Sequence, residues 1–384
     1  RSFDPTRPLH YEGAIRGNWT ANHDLTDVVC PMYPSISAII SYAKSKKADR
    51  PLIMCEYSHA MGNSNGTIKE YWDAIHSLKG LQGGFIWEMW DHGLDQTLPD
   101  GTKRSAYGGN YGEKKHDGNF VCDGMFFPDR TPKPAMSEFK YIAAPVFITK
   151  KGAKYQVFNK HFFIDLSGYK LQYEITVDGL PKASGAIKLP AVKPRKAALI
   201  SIPANALKVE GAGERFLTFT LTDRNGHEVA WEQFALKAVT AKQPTKIAKV
   251  VSDGLIGFDL AKLVDKQGNL NLPEQVVAPQ LTLWRAPTDN DAIGKSAHYW
   301  NMWGLRDLKL TSSKVTKKGK SALVTKTWKT GKGISVKHIQ KVEVVAGQIK
   351  ITETVTVPKQ LHDVARVGIN FELNGELENY EYFG

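Results

Sequence analysis

Cysteine is scarce in this sequence: three residues in 384, Cys30, Cys55 and Cys122. Their spacing supplies neither paired metal ligands nor the density of a disulfide scaffold, so they read as buried free thiols. No apolar run approaches the roughly 20 residues that a membrane-spanning helix needs. The opening RSFDPTRPLHYEG contains none of the parts of a signal peptide. The sequence thus predicts a chain that neither spans a membrane nor is visibly targeted, and it leaves the compartment open. Internal repeats and low-complexity tracts are also missing. Acidic residues are the minority, 39 against 51 Lys and Arg, for a net charge of +12. That balance invites a nucleic-acid partner, but the lysine density falls mainly in KVTKKGKSALVTKTWKTGKGISVKHIQK (314–341). There it alternates with Val, Leu, Trp and Ile, as on the wet face of a half-exposed sheet. No helix-turn-helix, aromatic RNA platform or zinc finger accompanies it, so no nucleic-acid partner is expected.

What is present suits a soluble globular protein, 42% hydrophobic and 23% charged, long enough for two or three domains. The pattern changes near residue 145. Before it, the apolar runs PLHYEG (8–13), DVVCPMY (27–33), PLIMCEY (51–57) and GGFIWEMWD (83–91) alternate with helical spacing at Ile36, Ile39, Ile40 and Ala43. The same spacing recurs at Ile68, Tyr71, Trp72, Ile75 and Leu78. Ser64 or Asn65 is the expected cap of the second helix, and Gly80 its close. Strands alternating with helices predict parallel β/α units. After residue 145, KYQVFNK, KLQYEITVDG, AALISIP, ERFLTFTLTDRNG and HEVAWEQFAL read as strands, with Asp178-Gly179 and Asn225-Gly226 as hairpin signals. This predicts an antiparallel sandwich ending near residue 240. AKQPTKIAK (241–249) reads as a linker. A third β region follows from VVSDGLIGFDLA onward, interrupted by RAPTDNDAIGKSAHYWNMWGLRDL, read as loop and short helix.

In a β/α barrel the catalytic groups sit at the carboxyl ends of the strands. The four apolar runs end in Glu12, Tyr33, Glu56 and the Glu88–Asp91 cluster. A carboxylate at Glu56 suits a glycosidase nucleophile, a general base or a metal ligand. Tyr57 and His59 beside it, with Trp87 and Trp90 on the next strand end, favour a sugar, whose CH faces stack on aromatic rings while polar groups bond its hydroxyls. Trp90 itself reads as core.

CEYSHAMGNSNG, LQGGFIWEMWDHGL, SAYGGNYGE, DGNFVCDGMFFPDRTPKPAMSE and RAPTDND closely resemble the large bacterial β-galactosidases of glycoside hydrolase family 2, in the family's order and along the whole chain. The fold this implies is multidomain, α/β plus all-β. It consists of the C-terminal half of a (β/α)8 TIM barrel over 1–144, an immunoglobulin-like β-sandwich over 145–240, and part of a large β-sandwich over 249–384. On this resemblance the chain begins inside the barrel, at its fifth strand, and stops within a family motif at LENYEYFG.

The activity implied is release of terminal β-D-galactose by a retaining mechanism with Glu56 as nucleophile. Tyr33 resembles the tyrosine that hydrogen-bonds the nucleophile, His59 the histidine that contacts galactose hydroxyls, and Trp87 the indole on which galactose stacks. Asp123 and Phe120 match the positions that ligate sodium beside the sugar, with aspartate here in place of the familiar asparagine. Gly294, after RAPTDND, resembles the hinge of a loop that closes over bound sugar; the plain alternative is an ordinary surface loop. The resemblance implies Mg2+ and Na+ as cofactors, with the magnesium ligands mostly outside this sequence, and a homo-oligomeric full-length parent. The family's acid/base lies in an Asn-Glu dipeptide, and none occurs here. The 384 residues alone are therefore expected to be inactive. The other readings are a noncatalytic carbohydrate-binding or assembly segment and a sister specificity, β-glucuronidase or β-mannosidase.

Overall fold

The computed structural model describes residues 3–210, 213–237, 260–272, 275–345 and 348–373. The chain forms two compact units, 1–248 and 249–384.

The first unit opens with the β/α pattern. Helix α1 (Ile36–Lys44) starts at Ser35, whose hydroxyl accepts the amide of Ala38, and buries Ile39 and Tyr42. Strand β1 (Leu52–Tyr57) leads through α2 (Ile68–Ser77) to β2 (Leu81–Ile86), and β1 and β2 pair in parallel. Residues 29–33 lie along the other edge of β1. They form two parallel bridges, Val29 to Leu52 and Met32 to Glu56, and amide bonds alternate between the segments at Val29, Ile53, Cys55 and Tyr33. Val29, Ile39, Leu52, Met54, Ala74, Ile75 and Leu81 share one core in which both helices cover these strands. Burying side chains of this size stabilises by about 1.5–3 kcal/mol each for the larger ones, which outweighs the weak propensity of so short a pair of helices.

Three expectations fail here. Residues 8–13 form no strand; the run ends in a 3-10 turn, Glu12–Ile15, and is tied to its neighbour by one backbone bond, Asp27 to the carbonyl of Leu9, and by the side chains of Asp27 and Thr26, which accept the amides of Leu9 and Tyr11. Neither Ser64 nor Asn65 caps α2. Thr67 occupies the cap position with a left-handed backbone, while Asn65 bonds Ser58 and Ser64 bonds the carbonyls of His59 and Met61. Those side chains brace the turn after β1 instead. Trp90 is 43% exposed, so it is not core; Arg130 lies over its ring at 5.2 Å.

After the hairpin β3 (Leu94–Thr97) and β4 (Lys103–Ala106) and helix α3 (Pro134–Ile142), the chain becomes all-β. Strands β5 (Val146–Lys151), β6 (Lys154–Asn159) and β9 (Ala197–Ile200) make one antiparallel sheet. The facing sheet has the order β11-β10-β7-β8, from β7 (Lys170–Val177), β8 (Leu180–Ile187), β10 (Arg215–Thr222) and β11 (Glu228–Ala235). Their inner faces bury Val157, Leu171, Ile175, Leu217, Phe219 and Leu221. Asp178 and Gly179, both at positive φ (49° and 77°), join β7 to β8 as a two-residue hairpin turn. Strands β5 and β8 escape the sequence reading. Strand β8 is an edge with Pro181, Ser184 and Gly185 in it, so it lacks the apolar alternation that betrays a half-buried strand.

In the second unit, a short helical turn α4 (Leu260–Leu263) and strand β12 (Gln275–Thr282) precede two helices, α5 (Asp289–Ile293) and α6 (Ser296–Trp303). Where a loop followed by one short helix is expected over 285–308, the structure has two short helices. Arg285 grips Asp291 with two bonds of 2.6 and 3.0 Å, Thr288 and Asp291 form a capping box on α5, and Arg285 lies 4.9 Å over Trp300. A four-stranded meander follows: β13 (Lys309–Lys318), β14 (Ser321–Lys329), β15 (Ser335–Val345) and β16 (Gln348–Thr356). β17 (Gly368–Leu373) pairs back to β12. The lysine-rich stretch is this meander. The alternation is broken at several positions: Lys326, 3% exposed, sits in register with His338 on the buried face beside Gln340, while Leu323 is 43% exposed. The linker reading (241–249), most of VVSDGLIGFDLA and LENYEYFG lie outside the described residues. No helix among the described residues is long and apolar enough to cross a membrane.

Candidate functional site

The carboxyl ends of the three parallel segments bring the predicted residues together. Tyr33, at the end of 29–33, donates its amide to the carbonyl of Glu56 at 2.9 Å. Trp87, just past β2, donates to Tyr57 at 3.1 Å, and Ala60 donates back to Trp87 at 2.8 Å. The ladder therefore closes directly above Glu56. Tyr33 and Ser58 have left-handed backbones, at φ 45° and 52°, a conformation that costs non-glycine residues energy and that collects at functional sites.

Glu56 is half-buried at the end of β1. Burial, then hydrogen bonding to and the charge of the neighbouring Glu56 carboxylate, with Asp123 adding to it, hold the Tyr33 phenol well above its ordinary pKa. His59 packs between two rings, Tyr33 edge-on at 6.0 Å and Phe120 at 5.4 Å. Its Nε2 lies 3.5 Å from Asp123 Oδ2. Trp87 donates Nε1 to the same Oδ2 at 3.2 Å and leaves 37% of its surface open. Asp123 is 1% exposed, and its Oδ1 has no hydrogen-bond partner among the described residues. One buried carboxylate thus orients a histidine and an indole beside Glu56.

Sequence reasoning noted Glu88 only as part of a polar strand end. In the structure it faces the same cluster. Its amide bonds the carbonyl of Asp123 at 2.7 Å, and its carboxyl contacts His92 Nε2 at 3.0 Å. Burial, then the hydrogen bond its protonated form makes to Asp123, then repulsion from Asp123, Asp91 and Glu56 push its pKa up to about 8. The signal available beforehand was the run of carboxylates at 88–91. The influence of Asp123 on Glu88 could not be read from it.

Asp91 is the other missed residue. It is 4% exposed and forms a 2.7 Å ion pair with Lys133, which is 6% exposed. Gly294 belongs to the second unit. It closes α5 with φ −73°, a right-handed conformation open to any residue, and its amide bonds Asn290 at 2.8 Å. Among the described residues, no three His, Cys, Asp or Glu side chains group as metal ligands.

Residues 1–148 match the model of the TIM barrel domain of glycosyl hydrolases family 2. Residues 155–237 match domain 4 of β-galactosidase, and 259–384 match the β-galactosidase small chain. Over residues 1–148 the chain is thus similar to the barrel domain of glycoside hydrolase family 2. The chain is 30% identical to the β-galactosidase of Kluyveromyces lactis over 100% of its own length and 39% of that protein's. With the β-galactosidase of Klebsiella pneumoniae it shares 27% identity over 99% of the chain and 41% of the relative; with that of Priestia megaterium, 28% over 99% and 39%. It therefore spans less than half the length of these relatives. Its architecture is a partial TIM-barrel domain followed by β-rich domains.

Proposed function

We propose that the protein is a retaining β-galactosidase, releasing terminal β-D-galactose from galactosides such as lactose through a covalent galactosyl-enzyme on Glu56. One observation carries the reading. Glu56 stands at a parallel-strand end, its carbonyl bonded by the Tyr33 amide and its carboxylate acting on the Tyr33 phenol, in the same cluster as an indole and a histidine that share a buried carboxylate. A nucleophilic carboxylate must stay ionised, accept the anomeric carbon and leave again, and a fixed phenol donor steadies its charge through that cycle. The open face of Trp87 suits a pyranose, and His59 suits its hydroxyls. Domain limits at 144/145 and 240/249 belong to this reading.

A retaining enzyme needs a second carboxylate about 5–5.5 Å from the first. The Asn-Glu dipeptide that would carry it is not in this sequence, so Glu56 supplies the nucleophilic half of the reaction. For a monovalent cation the residues fit: Asp123 Oδ1 is a buried oxygen with no hydrogen-bond partner among the described residues, of the kind a hard cation takes, and Phe120 lies against His59. Such an ion would lend positive charge beside the sugar. For magnesium the described residues supply no ligand cluster, and nothing here is assigned to it.

The test uses the protein at its full natural length. Glu56→Gln should abolish turnover of a nitrophenyl β-galactoside and leave thermal unfolding unchanged, with glucuronide and mannoside turned over poorly by the unsubstituted enzyme. Turnover surviving in Glu56→Gln would remove Glu56 as nucleophile; preference for a glucuronide or mannoside would redirect the specificity; no turnover of any glycoside would favour a binding role.

A further inference from the structure

Asp123 is the hub of the site, and its own backbone is gripped from both sides by a single buried ion pair. The residue before it, Cys122, offers its carbonyl to Lys133 Nζ at 3.4 Å. The residue after it, Gly124, donates its amide to Asp91 Oδ1 at 2.8 Å. Lys133 Nζ closes the loop onto that same Asp91 oxygen at 2.7 Å. Six further backbone bonds tie the two segments together, Glu88 to Asp123, Met125 to Glu88 and to Met89, Phe126 to Met89, Asp91 to Phe126 and His92 to Val121, all between 2.7 and 3.2 Å. The approach is so close that a Cβ on Gly124 would stand 2.1 Å from the backbone of Trp90.

We infer that the Lys133–Asp91 pair is a positioning clamp for the sugar site of the proposed reaction, setting the Asp123 carboxylate and through it the Trp87 indole and the His59 ring. Neither residue touches the cluster of Glu56, Tyr33 and His59 in any contact described above, so both act through Asp123. The pair is anchored independently of the site. Lys133 is the cap position of α3, followed by Pro134, and its amide bonds Met125 at 3.0 Å. Asp91 lies four residues beyond Trp87 on the strand-end segment. The clamp thus transmits the placement of a helix start to a carboxylate ten residues earlier in sequence. An ion pair this buried is a poor source of stability, because desolvation offsets most of its attraction; fixing geometry is the use that remains.

The inference rests on the proposed function, and its test separates the two. In the full-length protein, Lys133→Met leaves the buried Asp91 without its cation, whereas Asp91→Asn with Lys133→Met removes both members of the pair. The asparagine still accepts the Gly124 amide, so the double variant should unfold at nearly the unsubstituted temperature. The grip on Cys122 is nevertheless gone. For a nitrophenyl galactoside, kcat/KM should then fall on the order of a hundredfold, the cost of a small misplacement, with most of the loss in KM because Asp123 holds groups that bind sugar without reacting. A double variant that regains both stability and an unsubstituted KM would show a merely structural pair and overturn the inference. Should Lys133→Met not be recovered folded, the double variant carries the test alone. A readout independent of turnover is the fluorine NMR signal of Trp87 in protein grown on fluorotryptophan, assigned by its loss in Trp87→Phe. The clamp predicts a shifted or broadened signal in the double variant, and an unchanged signal contradicts it. Absence of galactoside turnover in the unsubstituted protein would count against the proposed function, while the fluorine signal would still decide the clamp.

Discussion

The Tyr33 hydroxyl is held protonated by its burial and by its bond to Glu56, far above the ordinary value of 10. It therefore remains a donor to the carboxylate across the whole working range of pH. Removing one preorganised donor from a centre where charge changes costs on the order of a hundredfold or more in kcat. Tyr33→Phe should show that loss in steady-state kinetics with its melting temperature intact; kinetics equal to the unsubstituted enzyme would mean that the phenol only packs. Glu88 makes a prediction of opposite kind, about stability. Its pKa rises from 4.5 to about 8 on folding. Between those two values the folded chain keeps a proton that the unfolded chain has released, so this group's contribution to stability declines as pH rises through that window and is lost above it. Glu88→Gln has no such proton to lose. Its stability relative to the unsubstituted protein should grow from pH 4.5 to pH 8 and then level off, as measured by thermal unfolding of both across that range; parallel curves would remove the raised pKa. Glu56, Tyr33, His59, Trp87 and Asp123 were legible in sequence because each sits in a contiguous motif. Glu88, Asp91 and Lys133 matter through partners 35 to 42 positions away, a relation that no local pattern carries.

At the scale of elements, helices α1 and α2 were legible because a 3.6-residue apolar period survives wherever one face packs on a sheet. Strand identity was harder. Run 8–13 has the composition of a strand but finds no ladder partner among the described residues, and β8 has a partner but not the composition. Capping also depended on context. Ser64 and Asn65 have the right chemistry for α2, yet the turn after β1 uses them to satisfy the backbone between Ser58 and Met61. Ser35, one position before α1, does serve as a cap. Ser35→Ala should lower stability by about 1 kcal/mol, the usual worth of an N-cap, without altering turnover. Chemical denaturation checks this, and an unchanged midpoint would show that the α1 terminus is held by packing alone.

For the molecule as a whole, the change from β/α to all-β near residue 145 was visible in the sequence because periodicity itself changes, from mixed 3.6 and continuous runs to alternation. The structure places helix α3 just before that change and β5 just after it. The positive net charge, by contrast, says little about function: its densest stretch is the solvated face of the β13–β16 meander, and the exceptional lysine there, Lys326, is turned inward. The proposed site lies instead on one small area of the first unit, where strand ends, a turn after β1 and the 120–126 segment meet. The central claim is that Glu56 becomes glycosylated there. The most direct measurement treats the full-length protein with a 2-deoxy-2-fluoro-galactoside bearing a dinitrophenolate leaving group, which needs little acid assistance, and then maps the label by mass spectrometry of the digest. The account predicts one fluorogalactosyl adduct, on the peptide carrying Glu56 and absent from Glu56→Gln. An inactivated protein labelled at another residue, or a catalytically active one that never acquires a label on that peptide, would contradict it.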